Sequence, residues 1–130
     1  MKRILIYGSC WPTNIGNAFI HIGQKQVLRE VLPEDANVLH FGGMSTYLFW
    51  RRRRLENHLI LLPHPVPDYV VIGGMTQCES YFTAVGPMLR RASEQGSKIV
   101  ILGGGAECYS ARELRRVREM MSGLNIHAFV

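Results

Sequence analysis

PDYVVIGGMTQCES, residues 67 to 80, decides how this chain folds. Tyr69 to Ile72 is an unbroken apolar run, a glycine pair follows at Gly73 and Gly74, and a helical pattern opens at Glu79. Unbroken apolar character marks a strand covered on both faces, whereas a strand with one wet face alternates apolar and polar residues. The same kind of run recurs at Arg3 to Tyr7, Asn37 to Phe41, Lys98 to Leu102 and Ile126 to Val130.

Helical patterns separate these runs. Asn17 to Leu32 carries Ile20, Val27, Leu28 and Val31, read as one inward side, and stops at Pro33. Glu79 to Gln95 is expected to break or kink at Gly86-Pro87 and to cap at Gly96. Ser110-Ala111-Arg112-Glu113 is a capping-box sequence, with Leu114, Val117 and Met121 at helical spacing and Gly123 beyond the end. Met44 to Leu62 reads as a further helix with Leu48, Leu55, Leu59 and Leu62 inward. Alternating strands and helices predict an α/β fold: an open, mostly parallel, Rossmann-like sheet of about five strands with helices on both faces. At 130 residues the length fits a single domain spanning residues 1–130. The last run reaches Val130 without a helix to cover it, so that strand is expected to be a protected edge or the start of a longer chain.

Composition narrows the class. Apolar residues make up 47% of the chain, yet no run of them is long enough to cross a bilayer. The stretch from Met1 to Gly8 is too short for a secretory signal, and three cysteines without a CxxC pair do not form a disulfide framework. The expected location is the cytoplasm. The net charge of +5 comes from 15 Lys and Arg against 10 Asp and Glu, and four of the cations are the consecutive Arg51, Arg52, Arg53 and Arg54. Beside Tyr47, Leu48, Phe49 and Trp50, that run reads as a solvated helix face or as a contact to an anionic membrane surface, which would put the protein peripherally at the inner face of the membrane. Nucleic acid is the lesser expectation, because no aromatic residues interleave with the arginines.

Chemistry in an open parallel sheet gathers outside the carboxyl ends of the strands. Three segments there are glycine-rich or amide-rich: GSCWPTNIGN from residue 8, GGMTQCES from residue 73 and GGGAECYS from residue 103. Read as loops, they either permit tight turns or let backbone N–H groups approach an anion or a sugar. GGGAEC lacks the third glycine of a dinucleotide fingerprint, having Cys108 in its place, and no Walker sequence occurs. Cys10, Cys78 and Cys108 each lie shortly beyond a strand end, where convergence would make a metal or redox site and isolation would make them small apolar packers. The five histidines form no HxxxH pair.

Taken together, the three segments resemble the polysaccharide pyruvyl transferase family. TNIGN matches the family's G-N-x-G-D turn at Asn14 and Gly16 and departs from it at Thr13 and Asn17. PDYVVIGG is similar to an Asp-x-x-[IV]-x-G-G segment at Asp68, Gly73 and Gly74. GSKIVILGGGAE is similar to a strand followed by G-x-G-P, with Gly103 and Gly105 matching and Ala106 replacing Pro. The resemblance implies a GT-B-like transferase of two α/β domains that moves a pyruvyl group from phosphoenolpyruvate onto a sugar of a cell-surface polysaccharide. On that comparison the chain is the N-terminal, acceptor-side half. The groups gripping phosphoenolpyruvate belong to a C-terminal half, and no cofactor is required here.

Ketal formation needs an acid for the enol carbon and a base or polar cradle for the attacking sugar hydroxyl. Asn14 and Asn17 are candidates for the cradle, since amides donate and accept hydrogen bonds. Glu79 and Glu107, each just past a glycine segment, are the carboxylates of the same edge. The opposing reading is structural: Asn17 as a helix N-cap and the two glutamates favoured by a helix dipole. Gly16, Gly73, Gly74, Gln77, Gly103, Gly104 and Gly105 complete the expected substrate-binding set. A glycan or lipid-linked sugar is the expected partner, with a C-terminal half or a homo-oligomer completing the site. The rival from another class is a non-catalytic nucleotide- or glycan-binding module.

Overall fold

The computed structural model describes residues 1–8, 15–42, 66–77, 79–106 and 110–130. Among them five strands form one all-parallel sheet. In chain order these are β1 (Arg3–Gly8), α1 (Ile15–Val31), β2 (Asn37–Gly42), β3 (Tyr69–Gln77), α2 (Glu79–Glu94), β4 (Lys98–Ala106), α3 (Ala111–Met121) and β5 (Ile126–Phe129). The expected α/β class is therefore what the chain adopts. The Met44 to Leu62 helix lies outside the described residues.

The sheet order is β2-β1-β3-β4-β5. The chain winds outward from β1 to β2 and then in the opposite direction from β3 through β4 to β5, so its direction reverses between β1 and β3. Crossovers of one hand must then lie on opposite faces, and they do. Leu5, Tyr7, Val70, Ile72, Ile99 and Ile101 point to the face covered by α2 and α3. Ile4, Ile6, Val71, Val100 and Leu102 point to the face covered by α1. The alternation of side chains along a strand separates the two sets.

The α2–α3 face holds the main core. Phe82, Val85, Met88, Leu89 and Ala92 of α2 and Val117 of α3 are all buried against the sheet. Gly86-Pro87 does not break α2, which runs through both residues. Pro87 and Thr83, whose carbonyl loses its helical partner to the proline, both lie on the exposed side, open to solvent. The helix stops as expected at Gly96, whose φ of +90° suits a residue without Cβ. Gly96 N–H donates to the Ser93 carbonyl at 3.0 Å and Ser97 N–H to the Ala92 carbonyl at 2.9 Å, the bond pair of a Schellman cap. At α3, Glu113 N–H donates to Ser110 Oγ at 3.2 Å, so the capping-box reading identifies the N-cap.

The other face corrects the reading of α1. Ile20, Val27 and Val31 do not turn inward; they are 37%, 45% and 68% exposed. The inward stripe is His21, Gln24, Leu28 and Leu32, with His21 and Gln24 fully buried. Helical periodicity was right in period and wrong in phase, because two polar side chains displace aliphatic ones from the seam.

Candidate functional site

At the carboxyl edge, β1, β3 and β4 are neighbours, with the winding reversal between the first two. The glycines of the second and third segments are not in loops. Gly73 to Gln77 continues β3 and Gly103 to Ala106 continues β4, pairing Gly74 with Gly104 and Gln77 with Ala106 across two register shifts. Extra residues in the ladder accommodate these shifts, and Gly103 takes a φ of +64° beside one of them. The expected substrate residues Gly73, Gly74, Gln77, Gly103, Gly104 and Gly105 are therefore brought together on two adjacent strands. Gly103 N–H is already used, donating to the Val130 carbonyl at 2.7 Å.

A residue missed by sequence reasoning organises this edge from below. Gln24 of α1 is 5% exposed and its Nε2 donates to the Leu102 carbonyl of β4 at 2.7 Å. To reach it the amide passes over Gly73: a Cβ there would sit 1.5 Å from Gln24 Nε2 and 2.2 Å from the Leu102 oxygen. Gly73 is thus a glycine because an amide occupies the space of its side chain. The available signal was a glutamine at helical spacing from Leu28, opposite a glycine pair; nothing in one chain's spacing says that the two meet.

The other expected residues separate. Asn17 lies inside the first turn of α1, which begins at Ile15, so it does not precede the helix as its N-cap; Gly16 is in the same turn. Glu79 opens α2, and its carboxylate is paired with Arg116 of α3. This ion pair ties the two helices together on the α2–α3 side. Asp68, the first matching residue of its segment, belongs to the opposite end of the sheet. It accepts the Arg3 N–H at 2.8 Å and lies 3.7 Å from the Arg3 guanidinium. The backbone hydrogen bond, more than the Arg3 and Lys2 charges, holds the Asp68 carboxyl below its ordinary range. Its geometry joins the starts of β1 and β3. Asn14, Glu107, Arg51 to Arg54 and all three cysteines lie outside the described residues.

Among the described residues no group of three or more His, Cys, Asp or Glu is placed to hold a metal ion, and no helix is long and apolar enough to cross a membrane. A groove of about 540 Å³ runs along α2 beside α3, lined by Phe82, Thr83, Gly86, Pro87, Arg90 and Met120 among others. It flanks the helices and does not reach the glycine segments. What the described part of the carboxyl edge presents is chiefly backbone, with the Gln24 amide buried beneath it. No protein-family model and no curated protein matches the chain.

Proposed function

We propose that the carboxyl edge of β1, β3 and β4 binds a sugar, and that the chain is the acceptor side of a polysaccharide pyruvyl transferase using phosphoenolpyruvate. One observation carries this reading. The three segments that resemble the family are far apart in sequence, yet the order β2-β1-β3-β4-β5 makes their strands consecutive neighbours, with two of them flanking the winding reversal where such sheets take ligands. In the reaction the enol carbon gains a proton, and two sugar hydroxyl oxygens bond to the adjacent carbon as its bond to the phosphate oxygen breaks. Of the two hydroxyl protons released, one balances the proton gained by carbon and the other leaves with phosphate. The chain's part is to hold the diol, with Asn14 and Asn17 as hydrogen-bonding groups.

A second reading, a glycan- or nucleotide-binding module without catalysis, is favoured by the pairing of Glu79 with Arg116, which occupies one of the two carboxylates available as a base. Saturation-transfer NMR against polysaccharide fragments and nucleotides, followed by phosphate release from phosphoenolpyruvate with any fragment that binds, separates the readings. Fragment-dependent phosphate release that falls in Asn17→Ala supports the transferase. Glycan binding without release, when the release assay is run on the natural full-length gene product so that any C-terminal half is present, supports the module. Absence of any glycan contact overturns the acceptor assignment.

A further inference from the structure

On its β2 side, α1 carries His21, Lys25 and Arg29 at successive four-residue steps, which puts three basic side chains on one stripe. The stripe borders the edge strand β2. The rings of His21 and His40 meet edge to face, with centroids 5.7 Å apart and planes at 76°. His21 is 7% exposed, and its buried Nδ1 has no hydrogen-bond partner. The charged groups acting on His40 are Lys25, His21 and Arg29, all of them basic.

Nearby acids do not answer them. Glu30 accepts a hydrogen bond from Gln26 Nε2 at 2.8 Å, and Glu34 and Asp35, in the turn between α1 and β2, form no ion pair with the stripe among the described residues. Lys25 and Arg29 thus lie beside two imidazoles with no ion-pair partner among the described residues, and protonating either imidazole adds repulsion while the seam is empty. A tetrahedral oxyanion would resolve it. Its several acceptor oxygens can take N–H donors from imidazole, ammonium and guanidinium groups arriving from two elements.

We propose that the seam between α1 and β2 is a binding site for a phosphate group, with His21, Lys25, Arg29 and His40 as its donors. The bound anion favours the protonated imidazoles, so affinity rises as pH falls through the histidine range. The site does not depend on the acceptor reading, because its four donors are different residues from those assigned to the sugar, although His21 follows Asn17 by one turn of α1.

The test is histidine NMR of the labelled protein near about pH 6, titrated with inorganic phosphate at constant ionic strength. Saturable shifts of His21 and His40, with His127 on β5 unmoved, are expected. Lys25→Gln and His40→Gln, at half-buried and exposed positions, should each weaken binding about tenfold while leaving the circular dichroism unchanged. A second arm uses phosphatidic acid vesicles against phosphatidylcholine vesicles. Shifts with free phosphate assign a soluble phosphate compound, and shifts with phosphatidic acid alone assign a lipid headgroup. A linear drift shared by His127, affinity unchanged in both variants, or no shift in either arm overturns the site. None of these outcomes bears on glycan binding, so this proposal and the acceptor reading fail separately.

Discussion

The two faces of the sheet are built from different materials. Toward α2 and α3 the buried residues are aliphatic or aromatic almost throughout, twelve of them in one cluster. Toward α1 the buried apolar residues among those described are three, Ile4, Ile6 and Val71, and the helix contributes His21 and Gln24 to the seam. Apolar burial is non-directional and tolerates exchange, while a buried amide such as that of Gln24 requires a partner at a definite place. The α2–α3 face therefore supplies stability, and the α1 face supplies position: it fixes how the helix meets the strands whose ends form the candidate site.

The largest effect should come from the apolar face. Phe82→Ala removes a ring that is 2% exposed and should cost about 3–5 kcal/mol in urea unfolding; Leu28→Ala on the half-buried seam should cost clearly less. Equal losses would erase the distinction between the faces.

Gly73→Ala comes next, at about 1–3 kcal/mol, because the new methyl group meets the Gln24 amide and the Leu102 carbonyl together. Adding Gln24→Ala should recover only part of this, since the carbonyl contact is backbone and stays. Simple additivity of the two substitutions would break the proposed overlap.

A smaller effect is carried by pH. Burial first, and the Lys25 charge second, lower the proton affinity of both His21 and His40. The unfolded chain then binds more protons than the folded one just below the ordinary histidine value, so stability is fully present above that value and is lost as pH falls through the folded values. Urea midpoints should decline between about pH 7 and pH 5, and His21→Asn with His40→Asn should flatten the slope. A slope that survives both changes would move the sensitivity elsewhere.

Asp68→Asn is expected to be the mildest change. The Asp68 carboxyl is held below its ordinary value, so its contribution is present at neutral pH and is lost as pH falls below the ordinary value and through the lowered one. Because the pair is partly solvated, the difference between variant and parent should be small at neutral pH and vanish at the acid end of a melting series.

The regular elements were legible because each announces itself locally. Parallel strands need unbroken apolar runs, α3 begins at a serine followed by glutamate three residues on, and α2 ends at a glycine that can take positive φ. Less legible was where β3 and β4 stop. Glycine reads as a turn in isolation, yet Gly74 and Gly104 pair across the ladder because each strand offers the other hydrogen-bond partners, and those come only from tertiary proximity. The phase of α1 was likewise hidden. Ile20, Val27 and Val31 look like an inward stripe until Gln24 finds the Leu102 carbonyl across the space left open at Gly73.

The sequence by itself determined the element types and their alternation, since these follow from side-chain periodicity, caps and backbone freedom within a few residues. Only the tertiary structure decided the strand order that makes β1, β3 and β4 neighbours, the inward turn of His21 and Gln24, and the meeting of His21 with His40. Each depends on contacts between residues distant in the chain, and their geometry is set when the whole sheet closes around its two seams.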